Sequence, residues 1–314
     1  MNGLPIIFIH RDACYYLPHS VAQARAISSD SPVIVLGNDG NRGLKGVRHV
    51  HYDQHAGSAR KFQTIYQHRS DHRIHDELFC FQRWFVLRDF LRAENMDACL
   101  YLDSDVLLFV DAGKELAALR ERETFDLTAV QGTSLSPHSV FVPCLESLER
   151  LCEFQMLCYS DAEWFDRLEI HLNTLGEKEN GGGVSDMTIF SLFNQSGKGC
   201  VLDLHQIRDE TVFDLYLGRP SGYEMKDRLM RVSWIQGFPC GLHLESGKWI
   251  RFKTLHFQGS QAKAQMGEFV RLSSDEEKRD HRDNLKHSAR MVTLGNWRRR
   301  LRRWSGKPAW NPGI

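Results

Sequence analysis

The sequence predicts an α/β fold, a mostly parallel sheet flanked by helices and followed by a charged, basic helical tail. Three observations lead there. Short apolar runs of strand length alternate along the chain with stretches of helical period, the order that produces parallel sheets. The run at residues 98–102 is apolar without a break, as in strands covered on both faces. The composition, 42% hydrophobic and 25% charged over 314 residues, supplies a large core.

Taken in order, residues 6–9 and 33–36 read as strands around a helix near 19–28, the second strand ending in Gly37, Asn38, Asp39 and Gly40. Residues 40–76 are rich in Gly, His and charge without clean periodicity. They read as long loops with at most a short helix, and a long irregular segment inside a domain usually borders a site. Leu78, Phe81, Trp84, Leu87 and Leu91 recur every three or four residues as one apolar helical stripe, with Arg83, Arg88 and Arg92 off it. Strands are expected at 98–102, 106–110, 125–130 and 140–142, and a helix after Pro143 carries Leu145, Leu148, Leu151, Cys152 and Met156. Residues 175–183 break the pattern, and Gly181-Gly182-Gly183 lead into a helix bearing Met187, Ile189, Phe190 and Phe193. Residues 201–204, 232–235 and 254–257 are further strand candidates. The text turns to charged helix near 272, dividing the chain into a domain at 1–272 and a tail at 273–314.

The 40 basic and 40 acidic side chains cancel, but residues 284–314 hold eight Lys or Arg and no acid, so a basic tail follows an acidic body. No apolar stretch approaches the roughly 18 residues of a membrane helix, and the opening residues lack the pattern of a signal peptide. Eight scattered cysteines without a Cys-x-x-Cys pair suit reduced core thiols. A cytoplasmic protein is expected, peripheral to the membrane if the tail engages lipid.

The chemistry concentrates at Asp103-Ser104-Asp105. One Asp-x-Asp is uninformative alone, since 22 Asp in 314 residues give ~1.5 by chance. Its value comes from following a buried strand, where open α/β sheets bind ligands. Two carboxylates there suit a hard cation, Mn2+ or Mg2+, that bridges to substrate phosphates. Downstream, at the end of another expected strand, His256 offers an imidazole, Gly259 a close backbone approach and Lys263 a positive charge. The stretch from Asn180 to Asp186 puts flexible backbone before an acid at a helix start, with Ser185 or Asp186 as a plain N-cap in the simpler reading.

In this order the parts resemble a GT-A (Rossmann-like) glycosyltransferase, in particular the retaining family that includes glycogenin and the bacterial lipopolysaccharide galactosyltransferases. The resemblance spans roughly residues 4–265. An opening strand with an aromatic loop, the Leu100-Tyr101-Leu102-Asp103-Ser104-Asp105 segment, the strand at Ser139-Val140-Phe141, the segment from Gly181 to Met187 and His256-x-x-Gly259 with Lys263 follow the family's order. The resemblance implies Mn2+ on Asp103, Asp105 and His256, with Lys263 and Arg83 offsetting a diphosphate. It implies a site for a nucleoside diphosphate sugar, UDP-linked, at Tyr15 (or Tyr16), Arg83, Asp103, Ser104, Asp105, Gly259 and Lys263. Asp186 would hold the donor sugar as the catalytic carboxylate, and transfer with retention would reach a glycan or lipid-linked hydroxyl.

Rival readings are a haloacid-dehalogenase-type phosphohydrolase, a catalytically inactive GT-A binding module, and a zinc site on His68, His72 and His75 if these share a helical face. Between Trp297 and Trp304 five arginines surround Leu301, a composition suited to anionic lipid headgroups. The acidic body gives no second surface for nucleic acid, and no nucleic acid partner is expected.

Overall fold

The computed structural model describes residues 3–174 and 183–304, with the side chains at 169, 171–174 and 296–304 outside the description. The chain opens with β1 (Ile6–His10), α1 (Leu17–Ile27), β2 (Val33–Gly37), β3 (Arg48–His51), α2 (Gly57–Gln63) and α3 (Ile74–Ala93). It continues through β4 (Cys99–Leu102), β5 (Val106–Leu108), α4 (Ala112–Arg122), β6 (Leu127–Gln131), β7 (Leu135–Ser136), β8 (Ser139–Val142), α5 (Leu145–Ser160) and α6 (Ala162–Thr174). After α7 (Asp186–Gln195) come β9 (Val201–Asp203), β10 (Thr211–Phe213), β11 (Met225–Lys226), β12 (Leu229–Met230), β13 (Val232–Ile235), β14 (Phe238–His243), β15 (Lys248–His256), α8 (Ser260–Gln265) and α9 (Asp275–Trp304).

The central sheet runs β3-β2-β1-β4-β8. Its first four strands are parallel and β8 is antiparallel to β4. Side chains alternate across it with period two. Ile7, Ile9, Ile34, Leu36 and Tyr101 join the core under α3, α5 and α7, while Ile6, Phe8, Val33, Val35, Leu100 and Leu102 join the one under α1 and α4. Both faces are covered, hence the unbroken apolar text of these strands.

The sequence reading is corrected in two places. Residues 48–51, read as loop, form the parallel edge strand β3. An edge strand needs no apolar face, and Arg-His-Val-His gives no period-two signal. The later strands are also more numerous than expected: β10, β15, β14 and β13 form a second sheet, mainly antiparallel, over its own core cluster. Gln236 and Gly237, both at positive φ (50° and 82°), close the β13–β14 hairpin in the two-residue turn that matches strand twist.

The tail helix α9 lies along α1 through its acidic first half. Arg25 pairs with Asp280 at 3.0 Å and Lys45 with Asp283 at 2.6 Å, and the buried Asn284 both accepts from and donates to the Lys45 backbone. Among the described residues, no helix is long and apolar enough to cross a membrane.

Candidate active site

Two features of the topology converge on one place. From β1 the chain builds outward through β2 and β3 and then returns to place β4 on β1's other side, so the order reverses between β1 and β4. A crevice opens at such a reversal, beyond the carboxyl ends of the strands. The turn after β4 then leads into β5, which pairs antiparallel with β15 in the second sheet and sets His256 opposite Val106. Asp105 therefore lies beside His256 by register, and the Phe257 N–H closes the corner on the Asp105 carbonyl at 2.9 Å.

Each carboxylate is held differently. Asp103 Oδ1 accepts from the Tyr101 hydroxyl (2.6 Å) and from Arg83 Nη1 (2.6 Å), and Arg83 Nη1 also reaches the Tyr101 oxygen at 2.9 Å. Asp105 is 9% exposed and its Oδ2 lies 2.7 Å from Lys263 Nζ. Burial opposes its ionisation, but His256 and Lys263 together hold its carboxyl below the usual carboxylate range.

His256 is oriented by the segment just after β10. Its Nδ1 lies 2.7 Å from the Leu215 carbonyl, which can only accept, so Nδ1 carries a proton and Nε2 is the ring atom turned toward the carboxylates. That Nε2 faces Asp105 Oδ1 at 3.6 Å. A proton or a metal ion between these two atoms would be attracted to both. Donor atoms of Asp103, Asp105 and His256 all fall within 4.8 Å of one another. Two carboxylate oxygens and an imidazole nitrogen are a donor set that suits Mn2+ or Mg2+. The residues present fit such an ion.

Behind the acid pair, Arg83 forms the centre of a buried network. Its Nε and Nη2 reach Asp186 Oδ2 at 3.1 and 2.6 Å, and the Trp84 indole N–H donates to the same oxygen at 3.0 Å. Arg83 is 8% and Asp186 3% exposed. Burial pushes the Asp186 carboxyl up against the pull of Arg83 and Trp84. Glu77, one and a half turns earlier on α3, accepts from Ser70 Oγ at 3.3 Å, and burial pushes its carboxyl up to about 7.

The structure gathers Arg83, Asp103, Asp105, Asp186, His256 and Lys263 through direct contacts. Ser104 Oγ lies 2.9 Å from His10 Nδ1 at the end of β1. Tyr15 is 49% exposed and meets Tyr16 edge-on at 5.3 Å, whereas Tyr16 lies beneath Lys263 Nζ, 4.9 Å from its ring centre. Gly259, at φ 86° between β15 and α8, takes the left-handed conformation that glycine adopts freely. Ser185 is the N-cap of α7, its N–H meeting Thr188 Oγ1 at 3.2 Å, so capping and the placement of Asp186 coexist. Gly181 and Gly182 lie outside the described residues.

The histidine reading is corrected. α3 begins at Ile74 and α2 ends at Gln63, so His68 and His72 lie in the connection between them and share no helical face with His75, and His68 is occupied by Tyr66 and the His72 carbonyl at 2.9 Å each. Sequence reasoning also passed over residues that belong to the site. Tyr101 read only as a strand residue, and its place two before Asp103, on the same strand face, is the signal that points to it. His138 and Asp214 give no signal, because each stands alone between short strands.

No protein-family model matches the chain, and no curated protein does. Among the solved structures similar to it are the following three. An active-site variant of LgtC is 16% identical with a TM-score of 0.49, the match covering 88% of this chain and 100% of that one. The bifunctional glycosyltransferase WbbM is 12% identical at TM-score 0.48, covering 90% and 51%. Mouse xyloside xylosyltransferase 1 is 9% identical at TM-score 0.45, covering 67% and 87%. LgtC is also known as a galactosyltransferase in complex with donor and acceptor sugar analogues. By their descriptions these proteins are glycosyltransferases.

Proposed function

We propose that the chain is a metal-dependent glycosyltransferase of the GT-A type, moving a sugar from a UDP-linked donor to a glycan or lipid-linked hydroxyl with retention. One observation carries this reading: Asp103, Asp105 and Nε2 of His256 converge at the switch-point crevice, with the Lys263 cation beside them.

Asp103, Asp105 and His256 hold the ion, which when bound supplies positive charge to a departing diphosphate. Asp103, Asp105 and Asp186 set three negative charges against the two of Arg83 and Lys263, so the site is left anionic and attracts a dication first. Lys263 lies on the opening turn of α8, where its ammonium and the turn's free N–H groups favour phosphate. Tyr16, with Tyr15 at its edge, offers an aromatic face near Ser104 for the base. Arg83 keeps Asp186 ionised and still, and Asp186 holds the donor sugar. The α9 basic end, at 297–304, brings the enzyme to an anionic membrane surface where a lipid-linked acceptor is presented.

A thermal-shift titration with UDP, GDP, CDP and ADP, each with and without Mn2+, tests the reading. At a nucleotide concentration of 100 Kd the expected gain is about 2.7 kcal/mol, a Tm rise of roughly 5 °C. The rise should require Mn2+, be largest with UDP and vanish in Asp105→Asn. No shift with any nucleotide would overturn the donor assignment.

A further inference from the structure

The mechanism above leaves one buried histidine unused. His138 sits in the turn between β7 and β8, 1% exposed, and touches both ends of the ligand triad. Its backbone carbonyl accepts the Asp103 N–H at 2.8 Å. Its ring lies against the ring of His256, centroids 4.2 Å apart and planes 23° from parallel.

The ring's own nitrogens are both engaged. Nε2 lies 3.0 Å from the Asp214 carbonyl, which can only accept, so Nε2 carries the proton. Nδ1 is then an acceptor, and the Ser136 hydroxyl donates to it at 3.0 Å. With neither nitrogen free, His138 is neither a ligand nor a proton carrier. The 214–215 segment that fixes its ring also fixes His256, through Asp214 Oδ2 to the His256 N–H at 3.0 Å and the Leu215 carbonyl to Nδ1. A residue needed only to fill space here would be aliphatic, since a buried imidazole must find partners for two polar atoms. This one finds both, and its flat face blocks the rotation that would carry His256 Nε2 away from Asp105.

We propose that His138 is a positioning residue of the metal centre: its stacked ring holds His256 Nε2 on the metal while its carbonyl pins the backbone of Asp103. The assignment rests on the metal-centre reading of Asp103, Asp105 and His256. Partners of this kind, which touch a ligand rather than the ion, are worth roughly 10- to 100-fold in metal affinity.

The test is Mn2+ binding to the full chain, followed by the electron-spin-resonance signal of free Mn2+, with no nucleotide and no turnover. His138→Gln keeps a polar side chain but removes the flat ring, and should raise the Mn2+ Kd roughly tenfold while the far-ultraviolet dichroism of the wild type is retained. His138→Phe keeps the ring face and loses both hydrogen bonds, so its Tm should fall while its Mn2+ Kd stays within about threefold of wild type, far short of the loss expected of the Gln variant. Ser136→Ala, at a partly exposed position, removes one of the two bonds that the Phe variant loses and leaves the stacked ring in place, so its Mn2+ Kd should stay within about the same threefold at an unchanged Tm. Wild-type affinity in His138→Gln overturns the proposal, as does equal loss in the Gln and Phe variants. Should both position-138 variants fail to fold, a loss of roughly tenfold or more in Ser136→Ala, which keeps the stacked ring, overturns it. A wild-type chain that binds no Mn2+, or binds it as well after Asp105→Asn, overturns instead the metal-centre reading on which this one stands.

Discussion

Arg83 is off the apolar stripe of its own helix, and this is what makes it available to the site. Its stripe neighbours Phe81, Trp84 and Leu87 are fully buried, and the guanidinium is drawn in beside them to meet Asp103 and Asp186. Helical period identified the stripe, but a residue off it reads as solvent-facing unless its partners are known. Those partners come from β4 and α7, so no local pattern could place them. The same holds for Asp214, whose carboxyl burial pushes up to about 7. By contrast Asp103 and Asp105 were legible because strand text leads straight into them. Removing Arg83 leaves Asp186 as an uncompensated buried charge. Arg83→Met should therefore lower stability by about 3–5 kcal/mol in urea denaturation, whereas exchange of an exposed pair such as Lys248–Glu210 should change it by less than about 1 kcal/mol.

At the scale of elements, strands covered on both faces were readable, and of the second sheet β13 and the end of β15 were readable at 232–235 and 254–257 while β10 and β14 were not. β1, β2 and β4 carry four or five consecutive apolar residues, while β10 is three residues long and the separate hairpin β11–β12 has two-residue strands. Short hairpin strands are specified by their turns, such as Gln236-Gly237, more than by any period. The docking of α9 on α1 was equally hidden, because it depends on single polar pairs. One of them is pH-sensitive: His19 Nδ1 and His281 Nε2 share a hydrogen bond at 2.9 Å, and burial lowers both rings, His19 to about 4. A histidine depressed when docked stays neutral there while the released form takes up a proton, so docking is strongest above the ordinary histidine value near 6.5 and weakens as pH falls toward 4. Arg25, Lys45, Asp280 and Asp283 flank the pair and keep their charges over most of that range. Amide exchange in α9, corrected for its intrinsic pH dependence, should be faster at pH 5 than at pH 7.5. His19→Leu should flatten that difference, and an unchanged pH dependence in the variant would remove the pair as its cause.

For the whole molecule, charge is divided along α9. Its docked half carries Asp275, Glu276, Glu277, Asp280 and Asp283, and beyond Asp283 the chain has only basic charge. Docking pairs Asp280 and Asp283 with Arg25 and Lys45, and the arginines of 298–303 follow at the far end. Full-length protein is expected to sediment with phosphatidylglycerol vesicles at low salt and to be released as salt screens the contact. Arg298→Glu with Arg299→Glu and Arg300→Glu should weaken this at least roughly tenfold, at about 1 kcal/mol per basic residue. Binding that ignores salt would point to another cause.

The turn from Asp103 to Asp105 joins the two sheets, since β4 belongs to one and β5 pairs into the other. During synthesis, a nascent chain that has emerged only as far as α7 already carries both aspartates, yet has neither the histidine nor the lysine that complete their surroundings. On the proposed reading, capture of cation and nucleotide waits for β15, so that binding reports a chain whose two sheets have joined.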